Sequence, residues 1–203
     1  MSTQSNGQQL ITACEDGNFP GVRSSVSSGA NVDFQGDYGR TPAIHCCIKG
    51  HPEILQFLLE LGANAQLSNN SEWAPLHYSA KYNNQECAIV LLAHGVAVDA
   101  INSAGETALW IASMHGCLPI VQLLVRGGAD FERASNSDRT PTDIARYYGR
   151  SEVARYLETE SKWRRRRRAW AMVFCSIKNV DSDAKMMRVL QNRDLAGVIA
   201  SYL

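Results

Sequence analysis

Residues 39–64 read Gly39-Arg-Thr-Pro-Ala-Ile-His-Cys-Cys-Ile-Lys-Gly50-His51-Pro52-Glu-Ile-Leu-Gln-Phe-Leu-Leu-Glu-Leu-Gly62-Ala63-Asn64. The punctuation of this stretch predicts two short helices joined back to back. Thr41 suits the capping position of a helix, and Pro42 just inside it gives up only an N–H that has no partner there. Gly50 follows the first helix, where a left-handed cap is reached without a β-carbon in the way. Ile54, Leu55, Leu58 and Leu59 then lie at helical spacing, and the second helix closes on Gly62.

The pattern recurs with a fixed period. Gly-Ala stands at 29–30, 62–63 and 128–129, with Gly95-Val96 in the same series, so each step is 33 residues. Thr41-Pro42, Ala74-Pro75, Thr107-Ala108 and Thr140-Pro141 keep that period, as do Leu58-Leu59, Leu91-Leu92 and Leu124-Val125, with Ser25-Val26 a degenerate counterpart. Three series in one register define a repeat. One helix pair alone would expose an apolar face, and stacked neighbours would bury it as a continuous core.

These residues resemble the ankyrin-repeat family, whose unit runs G-x-T-P-L-H-x-A-A and continues through a second helix to a closing G-A. The resemblance covers about residues 8–158: Ala74-Pro-Leu-His-Tyr-Ser-Ala80, Gly105-Glu-Thr-Ala-Leu-Trp-Ile-Ala112 and Arg139-Thr-Pro-Thr-Asp-Ile-Ala145 carry it beside the first stretch, and Leu10 to Asn31 form a shortened N-terminal unit. It implies an all-α ankyrin-repeat solenoid of about five helix-turn-helix units with hairpin loops over residues 8–160. Residues 1–7 are expected to be disordered, and 161–203 to form a basic helical C-terminal extension.

Departures from the family pattern are specific. Its motif histidine survives as His77, while Ile44, Trp110 and Asp143 occupy the equivalent positions, so those turns are expected to be held less tightly. Asn83-Asn84 replaces Gly-His, and asparagine still accepts the left-handed cap. Glu72 stands where the turn glycine belongs, which makes the hairpin before Trp73 the least secure part of the register.

Composition narrows the function classes. The chain has 203 residues, with 45% apolar and 20% charged, which suits a folded protein. It contains no apolar run of about 18 residues to span a bilayer. The polar start Met1-Ser-Thr-Gln-Ser-Asn-Gly-Gln-Gln9 lacks the regions of a signal peptide, so cytoplasmic or nuclear residence is expected. Cys14, Cys46, Cys47, Cys87, Cys117 and Cys175 form no CxxC or zinc spacing and are expected to be free thiols. Cys46 aligns with Ser79, Ala112 and Ala145 at one small, buried helix position. Nothing resembles a nucleophile elbow, phosphate loop or metal signature, so no catalytic residue, cofactor or metal is expected.

The resemblance implies a non-enzymatic scaffold or adaptor that binds a protein partner through a concave face of hairpin tips and first-helix flanks. Mapped onto this sequence, the face takes Asp37, Tyr38, Arg40, Ile48 and Lys49 from one unit, then Asn70, Ser71, Trp73, Lys81 and Tyr82. The next two supply Ser103, Glu106, Met114 and His115, then Asn136, Arg139, Tyr147 and Tyr148. Tyr38, Trp73, Tyr82, Met114 and Tyr147 form a stripe of the residue types that anchor interfaces. The same side chains would also serve as covers for adjacent helices.

Charge is divided along the chain. Residues 1–161 hold 10 basic and 17 acidic residues, net −7, and residues 162–203 hold 10 and 3, net +7. Lys162, Arg164, Arg165, Arg166, Arg167 and Arg168 crowd into seven positions. Trp163, Trp170, Val173, Phe174 and Ile177 share helical spacing, so 161–178 reads as one amphipathic helix able to cap the stack. The arginine run exceeds what a cap needs; contact with nucleic acid or anionic lipid, a nuclear-import role, pairing with the acidic repeat body of the same or another molecule and a solvated charge run are its alternatives. A weaker likeness links residues 186–203 to the first helix of F-box-type ubiquitin-ligase adaptors, without their Leu-Pro start. A monomer is expected.

Overall fold

The computed structural model describes the backbone of residues 3–178 and the side-chain surroundings of residues 6–164. Each expected unit is a helix pair. The first helices are α1 (Thr3–Glu15), α3 (Pro42–Lys49), α5 (Pro75–Lys81), α7 (Ala108–His115) and α9 (Pro141–Tyr147). The second helices are α2 (Phe19–Ser27), α4 (Pro52–Glu60), α6 (Gln85–Ala93), α8 (Leu118–Arg126) and α10 (Ser151–Lys178). First helices pack on first helices along α1, α3, α5, α7 and α9, and second helices pack on second along α4, α6 and α8. Among the described residues no strand forms; the one β-bridge, Ile101 with Thr107, lies within a hairpin.

The local punctuation works as its chemistry dictates. The hydroxyls of Thr41, Thr107 and Thr140 accept from the backbone N–H three residues on, at 3.1–3.2 Å. Gly50, Asn83, Gly116 and Gly149 occupy one repeat position and all have positive φ, from 57° to 79°. Apolar residues of both helix layers form one core from Leu10 to Leu157, with Leu55, Leu58, Leu91, Leu109, Leu124 and Leu157 sealed from solvent. Each such leucine contributes about 2 kcal/mol by burial. Cys46, Ser79, Ala112 and Ala145 are all inaccessible, which lets first helices approach closely.

Three periodic series of hydrogen bonds tie each unit to the next. Asp33, Gln66 and Asp99, one period apart, accept through their side chains from the N–H groups of Asn64, Ala97 and Asp130 at 2.9–3.2 Å. The carbonyls of Tyr38, Ser71 and Ala104 accept from the N–H groups of Asn70, Ser103 and Asn136. Below the first helices, Asn84 Nδ2 donates to Cys47 O and Ile48 O, and Arg150 Nε donates to Met114 O. His51 makes the equivalent contact with Glu15 O at 3.4 Å. The period is therefore written into polar bonds as well as the core.

The structure departs from expectation at both ends. The stretch 1–7, expected to be disordered, is helical from Thr3, and Asn6 is buried with its Nδ2 donating to Ser28 O at 2.8 Å. The segment 161–178 is not a separate helix; α10 runs unbroken from Ser151 to Lys178. The chain divides into compact units at residues 1–158 and 159–203. The expected helix at 186–203 lies outside the described residues.

Candidate functional site

The motif histidine organises the centre of the stack. His77 is buried; its Nδ1 accepts from Ala74 N at 3.0 Å, and its Nε2 donates to Ala100 O at 3.0 Å and Glu106 O at 3.2 Å. It satisfies the backbone N–H of Ala74, the residue that caps α5 without a hydroxyl, and spans to the next hairpin. Burial holds its pKa below the ordinary value, against the opposing pull of these backbone bonds. The looser turns expected at Trp110 and Asp143 are not found. Trp110 Nε1 donates to Arg139 O at 3.0 Å, the position equivalent to Glu106 O. Asp143 accepts from Thr140 N at 3.1 Å and from the Thr140 hydroxyl at 2.6 Å, and these bonds hold its carboxyl below the usual range. Among these positions only Ile44 lacks a polar side chain to make such a bridge.

The hairpin before Trp73 also closes. Glu72 adopts the left-handed conformation at φ 60°, as Asp138 does at 56° in the same repeat position, where Gly39 and Gly105 stand elsewhere. Asn69 Oδ1 accepts from Ser71 N and Trp73 N at 2.9 and 2.8 Å and fixes the turn.

On this frame the hairpin bases meet the C-terminal ends of the first helices as a ladder of rings and cations. Lys81 Nζ lies 5.3 Å from the Trp73 ring centre and 5.6 Å from that of Tyr82. Tyr82 stacks on Tyr78 at 6.5 Å with the rings 6° from parallel, and Trp73 leans on Tyr78 at 5.4 Å. The Arg40 guanidinium lies 5.8 Å from Tyr78 and 5.4 Å from Tyr38, bridging two units. Two units on, Arg139 sits 4.2 Å over Tyr147, which meets Tyr148 edge-on at 5.2 Å.

The sequence-chosen residues divide into two groups. Tyr38, Lys49, Lys81, Tyr82, His115, Tyr147 and Tyr148 are exposed, as is Asp37 at a hairpin tip. Arg40, Trp73 and Arg139 are half-buried within the ladder. The others have scaffold partners. Ile48 and Met114 pack against the core. Glu106 accepts from Asn102 Nδ2 at 2.8 Å. Asn70 and Asn136 hand their N–H groups to the preceding hairpin and pack their amides over Gly39 and Gly105. Ser71 and Ser103 are joined through their backbones. Tyr78, which the sequence reading passed over, is the buried hub of the ladder, and its hydroxyl accepts from Asn69 Nδ2 at 2.9 Å. Its signal was present: Tyr78 and Tyr82 are four apart on one helix and so share a face.

The thiols are packing groups. Cys14, Cys46, Cys47 and Cys87 are buried and unpaired as disulfides, and Cys117 is half-buried. Contact with Cys14 together with burial holds the Cys46 thiol well above its ordinary range, and burial with Cys87 beside it does the same for Cys47. Such thiols are poor nucleophiles. Cys175 lies outside the described side chains. His45 is buried with Nδ1 2.9 Å from Glu15 Oε1. Among the described residues no group of histidine, cysteine and carboxylate side chains is arranged to hold a metal ion, and no helix is long and apolar enough to cross a membrane.

A family model described as ankyrin repeats (3 copies) matches residues 10–102 and 95–164. The chain belongs to the ankyrin-repeat family. It is similar to the ankyrin repeat and KH domain-containing protein mask-1 of Caenorhabditis elegans, 30% identical over 155 residues, which are 75% of this chain and 6% of that protein. It is 26% identical over 154 residues to SH3 and multiple ankyrin repeat domains protein 2 of Homo sapiens, covering 75% of this chain and 8% of the other. With the B-cell lymphoma 3 protein homolog of Mus musculus it shares 33% identity over 153 residues, 72% of this chain and 34% of that one. The chain spans from 6% to 34% of the length of these relatives. Ankyrin repeats generally mediate protein–protein interaction and are typically non-enzymatic.

Proposed function

We propose that this chain is a non-catalytic scaffold or adaptor, without cofactor or turnover, that binds a protein partner through the face lined by Tyr38, Arg40, Trp73, Lys81, Tyr82 and Tyr147. The observation that carries this reading is the ladder of rings and cations left at the surface of an otherwise closed core. Tyr38 is 73% exposed and Tyr147 66%, far more than covering a neighbouring helix requires. Rigid aromatic and arginine side chains are the anchors that dominate interface energy. Replacing Trp73 and Tyr82 together by Ala tests it. The proteins captured by the full-length chain should be lost on the folded variant; an unchanged set of captured proteins would discard this face. Monomeric state and cytoplasmic or nuclear residence belong to the same proposal.

A second reading rests on the basic run. Lys162 and Arg164–Arg168, five of them successive arginines, fall within the backbone of one helix. In this reading they contact nucleic acid or an anionic lipid surface. Binding of RNA, DNA or anionic vesicles should weaken steeply with added salt; salt-independent binding speaks against it. An F-box-like role for residues 186–203 predicts that their deletion abolishes co-purification of ubiquitin-ligase subunits.

A further inference from the structure

The repeat body is acidic, yet the ladder holds cations without carboxylate partners. Ion pairs among the described residues include His45–Glu15, Arg146–Asp143 and Arg146–Glu158. Arg40, Lys81 and Arg139 take part in none of these and lie against rings. A cation on a ring face keeps most of its charge available to an anion on its other side. The Nε–H of Arg40 is buried with no hydrogen-bond acceptor. Further along, partial burial, with the charges of Lys81 and Arg150 behind it, depresses the protonation of the exposed His115.

The negative charges of these hairpins are placed differently. Asp37, Glu72 and Asp138 are exposed at or beside the hairpin tips, and Glu106 is held by Asn102. A floor of cations and rings thus runs beside an acidic rim. A nucleic acid carries charge at every step and would meet both. A peptide with a few carboxylates and an apolar side chain can set its charges on the floor and avoid the rim. The chain's own arginine run has the wrong sign for this floor.

We infer that the face takes an acidic peptide segment of a protein partner, its carboxylates against Arg40 and Lys81 and an aromatic or aliphatic side chain against Trp73 and Tyr82. The inference rests on the protein-binding reading above and adds the chemistry of the partner. Electrostatic complementarity of this kind sets specificity and association rate more than raw affinity.

The test is selection of a displayed library of random 16-residue peptides on the full-length chain, followed by affinity measurement of the enriched peptides. Enriched sequences should carry more Asp and Glu than Lys and Arg and contain an aromatic or large aliphatic residue. Their binding should weaken about tenfold on Lys81→Gln, which alters an exposed side chain and leaves the core alone, and further on Arg40→Gln with Lys81→Gln. It should also fall with salt and with Trp73→Ala. Neutral or basic peptides that depend on Trp73 would overturn the acidic assignment while leaving the protein-binding face intact. Acidic peptides indifferent to Lys81→Gln but lost when Arg164–Arg168 are changed to Gln would move the site to the tail and overturn it. A 20-nucleotide single-stranded RNA that binds tightly and is lost on the double variant would assign the floor to nucleic acid instead. Absence of any Trp73-dependent peptide would count against the face itself.

Discussion

Lys81 holds its ammonium 5.3 Å from the centre of the Trp73 ring, and the pair recurs two units later with its members exchanged, Arg139 lying 4.2 Å over Tyr147. Positions 73 and 139 are equivalent in the repeat, as are 81 and 147. A cation and a ring eight residues apart therefore join hairpin base to helix end in either order. The contact needs the geometry of the unit and not the identity of either residue. The expected coupling is about 0.5–1 kcal/mol, the size of a cation–π contact at a largely exposed site. A double-mutant cycle in urea with Trp73→Leu and Lys81→Gln measures it, and additive losses would show that the two side chains are merely adjacent.

Glu72 carries backbone strain that a single change should relieve. Its φ of 60° is the region that favours glycine, and Gly39 and Gly105 occupy the same position in other units. A non-glycine residue there costs about 1–2 kcal/mol. Glu72→Gly should raise stability by up to about 1 kcal/mol, after allowing for the greater freedom of glycine in the unfolded chain. Gly39→Ala should act in the opposite sense, because an added β-carbon would collide with the Asn70 amide as well as strain the turn. Thermal midpoints of the two variants should move in opposite directions; movement the same way would contradict this account of the hairpins.

His77 makes stability depend on pH. Its Nδ1 must be unprotonated to accept from Ala74 N, and burial lowers its folded pKa below 6.5. The unfolded chain then binds the proton more readily, so the histidine's contribution is intact above pH 6.5 and is lost as pH falls through the folded value. His45 and His115, also lowered mainly by burial, act with the same sign. His77→Ala should cost about 2–4 kcal/mol at neutral pH, from the buried backbone groups it leaves unpaired and the space it empties. Urea midpoints between pH 7.5 and 5 should fall more for the parent chain than for this variant. An equal fall in both would locate the titration elsewhere.

What could be read from the sequence is what is encoded locally. Thr41, Pro42, Gly50 and Gly62 act within their own helix or turn, so their spacing alone announces the unit. The bonds between units were illegible because donor and acceptor lie 23–37 residues apart: nothing beside Gln66 marks it as acceptor for Ala97 N. For the same reason Asn70 and Asn136 looked like free surface while they support Gly39 and Gly105. Tyr78 is legible only through its spacing, four residues before Tyr82 on one helix, because it lies buried beneath the exposed positions it orders. The weak turns anticipated from a missing histidine failed for a related reason. A motif residue names one way to make a bond, and a different side chain can supply the same donor.

Trp110 is the clearest case of such a replacement, and it can be tested. Its indole N–H reaches Arg139 O at 3.0 Å, matching the bond from His77 to Glu106 O one unit earlier. The two residues differ in one respect that sets the size of the effect. His77 both accepts and donates, whereas indole only donates, and the cap of α7 is left to the Thr107 hydroxyl. Removing the indole N–H therefore breaks one bond and leaves the acceptor satisfied, since Arg139 O also receives Ser135 N at 3.1 Å. Trp110→Phe should cost about 0.5–1.5 kcal/mol, the net value of one hydrogen bond, and less than His77→Ala. Hydrogen exchange gives the independent check: the Trp110 indole proton should exchange only with opening of the stack. A freely exchanging Trp110 indole would mean that the bond across units is not formed in solution, and the bridge at this position would then have to come from packing alone.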